Sequence, residues 1–133
     1  MEKVNYMKIV IGGTLTGIIY FLGGWDIALQ TLMIAMLIDY ITGFCKAGYE
    51  GKLNSKIGAK GIIKKVGYLL IVAVAVLIDR LMGDTGAVRT TIIYIFSANE
   101  LLSIVENWAM MKLPIPKILI NKLEQLKENE EER

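Results

Sequence analysis

Three carboxylates stand where carboxylates are rare. Asp39, Glu100 and Glu106 each fall inside a long, otherwise apolar stretch of the chain. On the last of these stretches Asn99, Ser103 and Glu106 recur at helical spacing, with Glu100 and Asn107 beside them. On an earlier one Ala28, Thr31, Ala35, Asp39 and Thr42 share one face. Ionisable side chains inside apolar helices are costly, so they turn toward a bundle interior or toward water. The chemistry open to them is of three kinds. They line an aqueous path, they relay protons, or they are neutral, protonated acids that hydrogen-bond between helices.

The rest of the residue inventory excludes much else. The 133 residues include no histidine and a single cysteine, Cys45. An internal disulfide and a Cys/His zinc cluster are therefore excluded, and the usual general base is missing. Gly12-Gly13 lies within an apolar run, the wrong context for a phosphate loop. Neither catalysis nor a cofactor or metal is expected. A nucleic-acid surface is unsupported, because the basic loop is short, tethered between apolar stretches and without interleaved aromatics beyond Tyr49.

The elements that must position these groups follow from the hydrophobic pattern. Hydrophobic residues make up 54 % of the chain and mean hydropathy is +0.49. Four apolar stretches, about 9–24, 27–45, 66–82 and 87–111, are expected to cross a bilayer core of roughly 30 Å as helices; the first is short and glycine-containing and needs its flanking aromatics to reach across. The expectation is an all-α integral membrane protein forming one domain over 1–133. It has about four transmembrane helices, an amphipathic loop helix and a C-terminal amphipathic helix. The first stretch follows Lys3 and Lys8 but lacks a small-residue cleavage site. Gly23-Gly24-Trp25-Asp26 comes instead, so it reads as an uncleaved span. Gly13 and Gly17 form a GxxxG there, with Gly24 two turns on, and are expected to serve helix packing.

Net charge is only +2, but its placement is informative. The segment 46–65 carries Lys46, Lys52, Lys56, Lys60, Lys64 and Lys65 against a single acid, Glu50. The positive-inside rule puts this loop, and with four spans both termini, in the cytoplasm. Ser55 is expected to cap a short amphipathic helix. Lys52, Lys56, Lys60 and Lys64 repeat every four residues as one basic stripe, and with Lys65 they would contact anionic lipid headgroups; a solvated hairpin is the alternative. Pro114-Ile115-Pro116 ends the last span, and a helix over about 116–133 is expected to lie in the cytoplasm, its acidic end solvated.

Four motifs together make the sequence recognisable. They are Asp39-Tyr40-Ile41-Thr42-Gly43, the run from Ser55 to Lys65, the run from Asn99 to Asn107, and Pro114-Ile115-Pro116 with its charged helix. In order and spacing the chain resembles the phage holin family that also includes the toxin-secretion holins of clostridia. That resemblance implies a homo-oligomer that gathers in the bacterial cytoplasmic membrane and opens it at a set time. The proton-motive force collapses, and an endolysin, or in toxin loci a large toxin, is released. An antiholin, a small constitutive channel or transporter subunit, and a partner-recruiting scaffold are the competing readings.

Overall fold

Each turn of the chain carries its own stop and start signals, and these set the helix boundaries. The computed structural model describes residues 1–132; Arg133, the end of the expected C-terminal helix, lies outside the described residues. Five helices follow in order: α1 (Glu2–Phe21), α2 (Ile27–Tyr49), α3 (Ser55–Leu81), α4 (Ala87–Met110) and α5 (Lys117–Glu131). Among the described residues there is no strand. The first four helices are long and apolar enough to cross a membrane.

At the close of α1 the backbone passes through left-handed conformations at Gly23 and Gly24. Asp26 then caps α2, its Oδ1 accepting from the Leu29 N–H at 3.0 Å. Gly23 is constrained twice over. Its φ is +85°, and a Cβ there would stand 2.5 Å from Arg89 Nε. Gly24, at φ +106°, has open space around it. Gly23→Ala is therefore expected to destabilise the protein by about 2 kcal/mol or more, against about 1 kcal/mol for Gly24→Ala, which meets backbone strain alone. Thermal unfolding of the two variants in detergent or nanodiscs measures the difference; equal losses would mean that Arg89 gives way freely.

Helix α3 departs from expectation. The basic segment from Ser55 to Lys65 is not a separate helix lying across the headgroups. It is the first part of one continuous helix of 27 residues, about 40 Å at 1.5 Å per residue. Nothing in the segment breaks the helix, and the cap is Asn54 rather than Ser55, with Asn54 Oδ1 accepting from the Lys56 N–H at 2.9 Å. Gly58 and Gly61 are tolerated because they make room. A Cβ on Gly58 would lie 3.2 Å from the Tyr40 hydroxyl, and one on Gly61 3.6 Å from the Tyr40 ring.

Helices α2, α3 and α4 form the bundle, with α4 packed against both of the others and against α5. The core is small: Leu22, Leu29, Leu32, Met36, Val72 and Ile93, flanked by Tyr68 and Phe96, whose rings stack at 4.0 Å. Elsewhere the surface is lined with exposed leucine, isoleucine, valine and phenylalanine. An exterior of this kind suits hydrocarbon, not water. Helix α1 buries none of its residues. It is joined to the bundle at its end, where Arg80 lies 4.5 Å from the Tyr20 ring and donates to the Tyr20 carbonyl at 3.3 Å.

The last helix also departs from expectation. Trp108 Nε1 donates to the Pro114 carbonyl at 3.1 Å, which turns the chain sharply at the end of α4. Helix α5 then runs back along α4. Leu123 is buried, and the Tyr94 hydroxyl donates to the Leu126 carbonyl at 3.4 Å.

Candidate functional site

The polar groups inside the bundle form two clusters, one at each end of the α2–α4 core. The first gathers the expected polar residues of three helices. Lys65 Nζ, from α3, donates to Asp39 Oδ2 of α2 and to Glu100 Oε2 of α4, both at 2.6 Å. Asn107, two turns beyond Glu100 on α4, donates to Asp39 Oδ1 at 3.2 Å and to Thr42 Oγ1 at 3.1 Å. Glu100 is fully buried, while the side chains of Asp39 and Lys65 keep 13 % and 14 % exposure. Two carboxylates against one ammonium would leave a net negative charge. Lys64 offsets it: its Nζ stands 3.8 Å from Glu100 Oε1, and it also approaches the Tyr68 ring at 5.3 Å. Glu100 Oε1 is otherwise without a hydrogen-bond partner.

This cluster sits at depth. Asp39 is about 18 Å along α2 from Ile27, and Glu100 about 20 Å along α4 from Ala87, at 1.5 Å per residue. Up to those points Arg89, at the span end, is the only charged side chain on either helix. A cleft of about 860 Å³ opens between the second half of α2 and the first part of α3, and Asp39, Lys65, Ser103 and Asn107 line it. Water entering from the basic end therefore reaches the Asp39–Lys65 side of the cluster, whereas Glu100 is sealed behind it.

The second cluster ties the opposite end together. Arg89 of α4 donates to both carboxylate oxygens of Asp26, at 2.7 and 3.1 Å. It also donates to the carbonyls of Leu22 at 2.6 Å and Gly24 at 3.1 Å. Asp79 of α3 is buried and accepts from the first free N–H groups of α4, Val88 at 2.9 Å and Arg89 at 2.8 Å. The Arg89 hydrogen bond holds the Asp26 carboxyl below its ordinary value of 3.8, more than desolvation raises it.

The structure thus divides the expected polar stripe of α4. Glu100 and Asn107 turn inward and are occupied in holding α2 and α3. Ser103 faces the cleft. Asn99 and Glu106 are exposed, on a face that no other helix covers. Among the expected headgroup contacts, Lys56, Lys60 and Lys64 form an exposed row along α3, and Lys52 lies in the loop before it. Lys65 does not belong to that row; it is the central cation of the buried cluster. Among the described residues nothing packs on Gly13 or Gly17, and Gly24 lies beyond the end of α1. The sequence reading missed the Arg89–Asp26 clamp and the Asp79 cap. A signal for both was present, since Asp26, Asp79 and Arg89 all fall at span ends on one side of the membrane.

The Bacteriophage holin family matches residues 16–128, and the chain belongs to that family. It is a membrane protein. An uncharacterized 14.9 kDa protein from the nagH 3' region of Clostridium perfringens is 44 % identical over 130 residues, covering 95 % of this chain and 97 % of the relative. An uncharacterized protein of Listeria monocytogenes is 38 % identical over 121 residues, 91 % of this chain and 85 % of the relative. A probable holin of Bacillus phage phi105 is 30 % identical over 105 residues, 79 % and 78 % of the two chains. No solved structure matches.

Proposed function

We propose that this protein is a holin that oligomerises in the bacterial cytoplasmic membrane and opens it. The opening collapses the proton-motive force and releases a muralytic endolysin, or a large toxin, and the protein itself carries out no catalysis. The observation that carries this reading is the exposed pair Asn99 and Glu106 on α4, a helix long and apolar enough to span the membrane. A carboxylate and an amide facing lipid are unfavourable in a lone protomer. They become favourable once neighbouring copies enclose water against them. The buried Asp39–Lys65–Glu100 cluster keeps the bundle rigid while such copies rearrange around it. GxxxG contacts through Gly13 and Gly17 of the unburied α1 would join protomers, and the row Lys56, Lys60 and Lys64 would meet anionic headgroups at the cytoplasmic face.

The direct test is inducible expression in a bacterium, alone and with a cytoplasmic endolysin, following membrane potential and turbidity together. A delayed, abrupt depolarisation, with lysis only when the endolysin is present, is the expected result. Depolarisation without lysis would indicate an ion channel, and no depolarisation at full membrane expression would indicate an antiholin or scaffold. Within this assay Glu106→Gln should shift the onset of depolarisation by a factor of about two or more, because roughly 1 kcal/mol separates the lipid-facing and water-facing states by fivefold. Unchanged timing would remove Glu106 from the opening.

A further inference from the structure

Helix α5 occupies a place that its composition does not suit unless water is there. It begins beside the end of α4, held by the Trp108–Pro114 hydrogen bond, and reaches Tyr94 by Leu126. Tyr94 is only about 10 Å along α4 from Ala87, at 1.5 Å per residue. Leu126 is therefore level with the far half of a membrane-spanning helix. Ala98, one turn from Tyr94 on the same face of α4, is buried, as is Leu123 of α5. Leu123 and, in part, Leu126 of α5 are thus seated on α4, while Ile118, Leu119, Lys122, Glu124, Gln125, Lys127 and Glu128 are exposed, and with α4 spanning the bilayer the charged members of that set fall at bilayer depth. Hydrocarbon solvates such a face poorly. The exposed Asn99 and Glu106 lie on the adjoining face of α4, so both sets of polar groups open toward one side of the protomer.

We propose that α5 is a re-entrant wall helix: it stays folded along α4 inside the membrane, and its charged face lines the water enclosed by neighbouring copies of this chain. The inference rests on the pore-forming function proposed above and names the surface that the pore presents. Helix α5 is then part of the opening rather than a cytoplasmic tail. Its alternating lysines and glutamates give the wall charges of both signs, which favours passage of water and polar cargo over selection of one ion.

The test uses the full chain carrying Cys45→Ser, Thr90→Cys and Glu128→Cys, spin-labelled at the two new cysteines. It is reconstituted in phosphatidylglycerol-containing vesicles at a protein density that releases a trapped dye. Thr90 and Glu128 are both exposed, so the labels leave the packing intact. With α5 folded along α4 the labels should lie within about 20 Å, whereas an α5 projecting from the membrane would place them beyond about 30 Å at 1.5 Å per helical residue. The proposal also requires that the Glu128 label collide more with a water-soluble nickel chelate than with dissolved oxygen. Leaking vesicles with a long distance, or with a short distance and oxygen-dominated collisions, overturn the wall helix and leave pore formation standing. Vesicles that release no dye at any density overturn the pore itself.

Discussion

Lys65→Met is expected to be the most damaging single substitution in the chain. It removes the cation shared by Asp39 and Glu100 at 2.6 Å each and leaves two carboxylates facing one another in a nearly closed space. Lys64, about half exposed and 3.8 Å from Glu100, does not reach Asp39's side of the cluster. Breaking a buried charge pair by deleting one member costs about 3–5 kcal/mol, because the partner stays buried and uncompensated. In thermal unfolding this should appear as a fall on the order of 10 °C or more, with reduced accumulation in the membrane. The mechanism makes a second demand. The triple variant Asp39→Asn/Lys65→Met/Glu100→Gln carries no charge at the cluster, and the amide oxygen introduced on α2 would still accept from Asn107. It should recover most of the loss. Glu100→Gln alone should be mild, since it leaves a matched Asp39–Lys65 pair. A triple variant no better than Lys65→Met would show that packing at residue 65, rather than charge balance, sets the cost.

That cluster also shows what could be read in advance. Asp39 and the polar stripe of α4 were legible as turning toward a bundle interior or toward water, because a polar group in an apolar helix has few other choices. Lys65 was not, because it closes a run of lysines whose other members face outward. Only the helix phase distinguishes it: with α3 continuous from Ser55, Lys56, Lys60 and Lys64 fall on one face and Lys65 is rotated off it toward α2 and α4. Grouping Lys65 with the outward lysines as a headgroup contact concealed that phase. The spans themselves were readable from apolar length, which is a local property. The return of α5 along α4 was not, since Pro114-Ile115-Pro116 dictates that the helix stops and leaves the direction of the next one to tertiary contacts. The sequence alone also could not separate Asn99 and Glu106, which remain exposed, from Glu100 and Asn107 one position further round, because that choice depends on where α2 and α3 pack.

At the opposite end of the bundle, Arg89→Leu is expected to free α1. Arg89 reaches both Asp26 oxygens and the carbonyls of Leu22 and Gly24, so one side chain closes the turn that ends α1 and begins α2. Helix α1 has no buried residues, so without Arg89 it is left with the Arg80 contact at Tyr20. Hydrogen bonds to a charged donor contribute about 1.5–3 kcal/mol each. Asp26 is half exposed and regains water when released, so the loss should be about 2–4 kcal/mol, centred on the buried Leu22 carbonyl. Arg89→Lys keeps the charge but not the planar fork, and should fall between the two. Amide exchange of residues 22–26 should accelerate at least tenfold in Arg89→Leu, with exchange in α2 and α4 near Glu100 changed little. The clamp also has a defined pH signature. Because the Arg89 hydrogen bond holds the Asp26 carboxyl below 3.8, the ion pair's contribution is fully present above that pH. It is lost only as pH falls through the lower, folded value. The parent protein should therefore be indifferent to pH from 7 to about 4 at this turn, then exchange faster in stronger acid. Asp26→Asn should exchange faster throughout and show no such acid limb. An acid limb surviving in Asp26→Asn would assign the titration to another carboxylate and leave Arg89 held by the backbone carbonyls alone.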